Sequence, residues 1–484
     1  MTESSTLVTF GLAIFTTILA AVLLTRRLSS GSGVGLTLLY LSLLGVIHAP
    51  GAAIHALPWF WQSDNGLVLT GFTQTVYGVV CFGLGALILE PFAARLFQSD
   101  KHREASPRTS VSKATIRHTS WPSSPGPLLA LAGQAGGSVA MAVPATRSVS
   151  LPVFFIILGL LGLLVFTPLT AGIPTGRAIA TNLGQLINIG LILACWRAWR
   201  AGNRPALWLW VGAACALPLI TIVADGFLGF GTIILLSVLL FVISLIRPRL
   251  SWVVFGLIAA YIGISFFVTY MRDRETIRLV VWGGQDFGQR AEQLLTTASS
   301  FELFDPQSQD HLNSIDDRLN QNVLVGIAAN YLDVGFVDFA RGDTFVQVAV
   351  ALVPRVLWPD KPFVAGGSAL VTRFTGVKFD ENTSVGIGQV LEFYANFGTL
   401  GVCVGFLALG WLIAFFDRMA AQRLLSGDQI GFTFWYLPGL GLMLPGNSLA
   451  EMTATVGGAF LTAFLVTRVL VPVARALSMG RKER

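Results

Sequence analysis

The chain alternates between long apolar runs and short polar interruptions, and many runs have the length of a bilayer crossing. A hydrocarbon core about 30 Å thick needs about 20 apolar residues in a helix, and about eleven stretches qualify. They centre on residues 7–24, 34–56, 66–90, 150–168, 179–197, 206–224, 228–246, 252–270, 398–416, 430–447 and 452–471. The tenth carries Pro438 and Pro445, which predict a kink. The first, Leu7 to Leu24, is followed by Arg26 and Arg27 and has no basic stretch before it, so it is expected to be a spanning helix and not a cleaved signal.

Two interruptions are long. Residues 99–149 are rich in Ser, Pro and Thr with scattered basic residues, the composition of a flexible cytoplasmic linker. The stretch PLLALAGQAGGSVAMAVP inside it is only weakly apolar and is flanked by basic residues, so it is assigned to the linker and not to a twelfth crossing. Residues 271–386 hold no crossing but keep a helical pattern. Ile315, Leu319, Val323, Ile327 and Tyr331 recur every four positions, and DTFVQVAVALV (343–353) predicts a short apolar helix leading to Pro354 and Arg355. The expected organisation is helices 1–3 in 1–98, the linker 99–149, helices 4–8 in 150–270, a large partly helical external loop 271–386, and helices 9–11 with a basic tail in 387–484.

Composition agrees with that picture. Hydrophobic residues make up 54% and charged residues 12%, against roughly 25% charged in soluble proteins, so the expected class is an all-α polytopic membrane protein. The net charge of +6 does not indicate a nucleic-acid partner, because the basic residues sit at helix ends. Arg26 and Arg27, the linker, Arg197, Arg200 and Arg204, Arg247 and Arg249, Arg418 and Arg423, and the tail all fall on one side. The positive-inside rule then places the amino terminus outside and the carboxyl terminus in the cytoplasm. Cys81, Cys195, Cys215 and Cys403 lie far apart inside apolar runs, which argues against a disulfide framework or a zinc site.

The charges of the spans, Asp225, Glu392 and Glu451, fall near their outer ends, with Glu90 near an inner end. That distribution suits a site at the outer membrane–water boundary better than an ion relay through the midplane. The external loop carries Arg272, Arg274, Arg278, Arg290, Arg318, Arg341, Arg355, Lys361, Arg373 and Lys378. Arginine dominates, and guanidinium forks match phosphate oxygens bidentately. A diphosphate-bearing substrate is the natural partner. His48 and His55 share a face of the second helix without carboxylates near them in sequence, so they read as a packed, hydrogen-bonded pair. GFLGFG (226–231) lacks the strand–turn–helix setting of a phosphate loop and reads as close packing.

Four motifs occur in order: Arg318-Leu319-Asn320, Arg341-Gly342-Asp343-Thr344-Phe345, VPRVLWPDKP (353–362), and Glu392-Phe393-Tyr394-Ala395-Asn396-Phe397-Gly398 opening a span. Over roughly residues 310–410 the chain resembles the Wzy-type oligosaccharide repeat-unit polymerases of bacterial O-antigen and exopolysaccharide synthesis. Arg272 and Gly288, sixteen apart, fit a further loop pattern of that family. The linker is outside the resemblance. The resemblance implies a GT-C-like fold in the bacterial inner membrane and transfer of a growing glycan from undecaprenyl diphosphate to another lipid-linked repeat unit. It implies Arg355 and Glu392 as catalytic residues, Arg355 on the diphosphate and Glu392 on the acceptor hydroxyl, with Arg341, Lys361, Arg318 and Arg272 as further diphosphate binders. It implies no metal and no cofactor, and a chain-length regulator and a flippase of the same pathway as partners. Alternatives are a glycan ligase of similar architecture and a lipid-linked oligosaccharide flippase, which predicts paired repeats and polar residues at midplane depth.

Overall fold

The computed structural model describes Gly11 and residues 33–60, 64–104, 150–170, 174–246, 250–283, 287–353, 358, 360–361, 366–379 and 385–480. Among these residues every regular element is a helix. In chain order they are α1 (Leu36–Ile54), α2 (Asn65–Glu104), α3 (Leu151–Leu161), α4 (Pro174–Gly184), α5 (Leu186–Arg200), α6 (Arg204–Asp225), α7 (Gly229–Ile246) and α8 (Leu250–Trp282). There follow α9 (Phe287–Ser299), α10 (Gln309–Leu319), α11 (Asn322–Val334), α12 (Asp343–Leu352), α13 (Gly367–Thr375), α14 (Gln389–Leu425), α15 (Gln429–Gly441), α16 (Leu449–Leu465) and α17 (Val471–Gly480).

Among the described residues, six helices are long and apolar enough to cross a membrane: Leu36–Ile54, Asn65–Ile88, Ile179–Arg200, Arg204–Ala224, Gln389–Leu425 and Leu449–Ala474. The described residues thus have the helical, apolar build of a membrane protein. The stretches expected at 150–168 and 228–246 form shorter apolar helices, Leu151–Phe166 and Gly229–Leu245. The expected first crossing, 7–24, lies outside the described residues but for Gly11. Helix α2 continues to Glu104, so the helix takes in the first residues assigned to the linker, and 105–149 lie outside the described residues.

The core is built on α2 packed along α14, with α11 packed against both. Close approach explains the glycines: a β-carbon at Gly85 would collide with the Leu407 carbonyl oxygen, and one at Gly410 with that of Phe82. Small residues let membrane helices share van der Waals surface where lipid offers no hydrophobic drive. The stripe expected along 313–333 is split in two. The chain bends at Asn320–Gln321, where the Gln321 amide donates to the Ile47 carbonyl at 3.0 Å. On α11 the buried face is Val325, Gly326, Ala328, Ala329 and Leu332, while Val323, Ile327 and Tyr331 are half-exposed. Small residues were selected by contact with α2, and a four-residue apolar count overlooks them. Further along, GFLGFG divides its work: Gly226 takes a φ of 75° to end α6, and Gly231 packs against the Leu217 carbonyl.

Two junctions fix the ends of this core. At one, Asp417 of α14 lies against the start of α1. Its Oδ1 accepts from the Val34, Gly35 and Leu36 amides at 2.6, 3.0 and 3.2 Å, and its Oδ2 from the Thr37 amide and hydroxyl at 3.3 and 2.9 Å. The first turn of a helix leaves such amides without intrahelical partners, and a carboxylate there also meets the positive end of the helix dipole. At the opposite, loop end, the expected crossing 430–447 is broken. Helix α15 stops at Gly441, and the chain runs without helix to Ser448. The Pro445 and Gly446 carbonyls there accept from the Gln389 and Gly388 amides at 3.1 and 2.9 Å, and Gln389 Nε2 donates to Leu444 and Asn447 at 2.7 and 3.1 Å. Non-helical backbone survives inside a membrane protein when buried protein groups satisfy it in this way.

Candidate functional site

The loop end assembles two of the four motifs. Arg341 (φ 48°) and Gly342 (φ 98°) turn the chain into α12, and Arg341 is the one non-glycine described residue with positive φ. Such backbone costs of order 1 kcal/mol and persists where its surroundings impose it. The surroundings are the other motif. The Ala340 amide donates to the Ala395 carbonyl at 2.8 Å, and the Gly342 amide to Asn396 Oδ1 at 2.9 Å. Asn396 Nδ2 donates to Thr344 Oγ1 at 2.8 Å and to the Glu392 carbonyl at 2.7 Å. Phe345 packs on Phe393 and Phe397 with ring centroids 6.4 and 6.0 Å apart. Sequence reading expects EFYANFG to open a span. In the structure Phe397 and Gly398 leave helical geometry, so Glu392 sits on a short segment ahead of the crossing proper.

Glu392 is fully buried, with an exposure of 0%. Its Oε2 accepts from the Leu449 amide at 2.6 Å, the first turn of α16, and its Oε1 makes no well-aligned hydrogen bond, the Thr344 side chain being a polar neighbour of the carboxylate. Glu451 works at the neighbouring helix ends: it closes a capping box with Ser448 and accepts from the Gly367 amide, at the start of α13, at 3.3 Å. Above this carboxylate floor the exposed groups are Arg341, Asp343 and Arg373, the last two paired at 2.7 Å.

The remaining predicted residues are not all brought to this junction. Lys361 donates its ammonium to the Ala351 and Val353 carbonyls at 3.1 and 2.9 Å, closing the carboxyl end of α12. A ten-residue helix is about 15 Å long, so Arg341 and Lys361 mark opposite ends of α12 and do not converge on one phosphate. Arg355 lies outside the described residues. Arg272 is engaged by Asp273, Glu302 and the Ser300 hydroxyl, with the Asp273 hydrogen bond first among the causes that push its pKa further up. Arg318 joins Arg274 and Arg278 of α8, which sequence reading did not single out. Burial first, and then the Arg318 charge, lower the pKa of both. Arg278 lies over the Phe227 and Trp282 rings at 4.6 and 5.0 Å, and its buried Nε has no hydrogen-bond partner. The charges of these three guanidiniums act on one another, the electrostatics of a cationic face suited to an anion.

Between these regions runs a polar chain. His48 Nδ1 meets Asn322 Oδ1 at 2.8 Å, Asn322 Nδ2 donates to Asn320 Oδ1 at 2.9 Å, and Asn320 Nδ2 donates to Asp316 Oδ1 at 2.6 Å. His55 meets the same Asp316 oxygen at 2.9 Å. Both histidines are hydrogen-bonded as expected, but the expectation that His55 has no carboxylate nearby is corrected: Asp316 reaches it from 261 residues downstream.

Residues 153–475, about two thirds of the chain, match the family described as a domain of unknown function, DUF8712. No curated protein and no solved structure matches the chain.

Proposed function

We propose a function for this chain, which belongs to the DUF8712 family, from its loop end: it is a membrane glycosyltransferase that polymerises undecaprenyl-diphosphate-linked oligosaccharide repeat units. The reading extends to about eleven crossings in a GT-C-like arrangement, in a bacterial inner membrane, with the amino terminus outside and the carboxyl terminus in the cytoplasm; about 20 apolar residues per crossing set that number. The observation that carries it is the interlocking of the RGDTF and EFYANFG motifs around Glu392, whose Oε1 is left unpartnered.

In the proposed reaction the acceptor sugar hydroxyl gives its proton to a carboxylate as its oxygen attacks the anomeric carbon of the donor glycan. The bond from that carbon to the diphosphate breaks, and the leaving lipid diphosphate gains negative charge. Preorganised cations stabilise such charge most where water is excluded. Arg341 is the exposed cation at the junction for that task, with Arg274, Arg278, Arg318 and Arg355 as further contributors. Lys361 and Arg272 are better assigned to closing α12 and to holding Ser300 and Glu302. Glu392 supplies the carboxylate, and its enclosure means that the acceptor reaches Oε1 only when α12 and α16 part.

Deletion of the gene followed by analysis of lipid-linked glycans tests the proposal. Single repeat units are expected to persist while long chains vanish. Normal chain lengths would overturn it, and long chains retained on undecaprenyl diphosphate would assign the protein to ligation instead.

A further inference from the structure

Away from the Glu392 junction, three ligand-type side chains from separate elements meet at the loop end. His55 follows α1, Asp64 precedes α2 and Asp316 lies on α10, and one donor atom from each falls within 4.8 Å of the others. His55 is buried, and the two carboxylates are half-buried. Both ring nitrogens of His55 face oxygen atoms: Nδ1 faces Asn65 Oδ1, and Nε2 faces Asp316 Oδ1 at 2.9 Å. A neutral imidazole donates through one nitrogen only, and a carboxylate only accepts. In the tautomer that gives Nδ1–H to Asn65, the Nε2 lone pair and a carboxylate oxygen face one another, an arrangement that a cation satisfies.

The spacing says which charge fits. Two donors bound at about 2.1 Å and at right angles on one ion lie about 3 Å apart. That is the Nε2–Asp316 separation, so this pair suits an octahedral ion as it stands and opens by about 0.5 Å for tetrahedral zinc. The shell behind it is also present. Asn65 fixes the imidazole tautomer, and Asn320 donates to Asp316 Oδ1 at 2.6 Å; outer groups of this kind orient metal ligands and raise their basicity. Two carboxylates balance a dication, and the imidazole nitrogen favours a borderline metal over magnesium or calcium.

We propose that His55, Asp64 and Asp316 bind one divalent cation of the zinc or manganese class, with water completing its coordination. The ion fastens the end of α1 and the start of α2 to α10 and so holds the Asn320–Gln321 bend, whose Gln321 side chain packs against Gly446 in the broken α15–α16 connection. The site stands whether or not the polymerase reading does. The competing occupant is a proton. The two carboxylates that would hold a proton on His55 also favour a dication.

Purified protein in detergent, stripped with a chelator and dialysed, is titrated with zinc chloride and with manganese chloride, with metal content measured by mass spectrometry. One ion per chain is expected. Asp64→Asn and Asp316→Asn are expected to lower affinity at least tenfold, and X-ray absorption at the zinc edge is expected to show a histidine nitrogen. Because His55 is buried, Asp64→Asn is the deciding variant, its folding checked by melting and elution in metal-free buffer. Wild-type protein that holds far less than one ion, or carboxylate variants that bind as tightly as wild type, would overturn the site and leave an imidazolium–carboxylate pair.

Discussion

Helix α14 carries two buried carboxylates that live differently. Asp417 accepts from four backbone amides and one hydroxyl at the start of α1, so all of its lone pairs are used. Glu392 accepts one amide from α16 and keeps Oε1 empty. Both sit near helix N-termini, where a negative group is favoured. The saturated one is a fastener. An unsatisfied buried oxygen carries a desolvation cost that fold stability alone does not require, which makes the second the candidate for chemistry.

The largest test of this contrast is Glu392→Gln. The amide oxygen still accepts from the Leu449 N–H, so the melting temperature should stay close to wild type. Polymer synthesis should fall by about 10²–10⁴-fold, the range of a general base, as read by chain-length analysis of lipid-linked glycan. Wild-type chain lengths in this variant would reduce Glu392 to a second fastener. At the other end, Asp417→Ala leaves several buried amides unpaired and should cost about 3 kcal/mol. Denaturation in detergent measures it, and a change of a few tenths would break the contrast from the Asp417 side.

Gly410→Leu asks whether both carboxylates depend on the α2–α14 contact that aligns their helix. Overpacking against the Phe82 carbonyl should destabilise by about 1–3 kcal/mol. Arg373→Ala removes an exposed ion pair with Asp343 above Glu392, worth under about 1 kcal/mol. A melting curve indistinguishable from wild type is expected. A large loss would show that the exposed pair, and not the buried carboxylate, holds the junction.

Much of the architecture was written in composition and hydropathy, because a helix that meets lipid must be apolar along about 20 residues whatever it packs against. The helix at 343–352 was legible because its pattern depends on residues close in sequence, whereas the partners of His48 and His55, Asn322 and Asp316, lie more than 260 positions away. Asp417 was overlooked because its partners are backbone amides some 380 positions away, and backbone amides leave no mark in a sequence. The break after Gly441 reads as a continuous apolar run because the groups that satisfy it, Gly388 and Gln389, lie on another helix. Sequence thus determined what each segment is made to dissolve in. Only the tertiary structure decided which polar atoms are answered and which, like Glu392 Oε1, are left open, since a hydrogen bond is settled by distance in space and not by position along the chain.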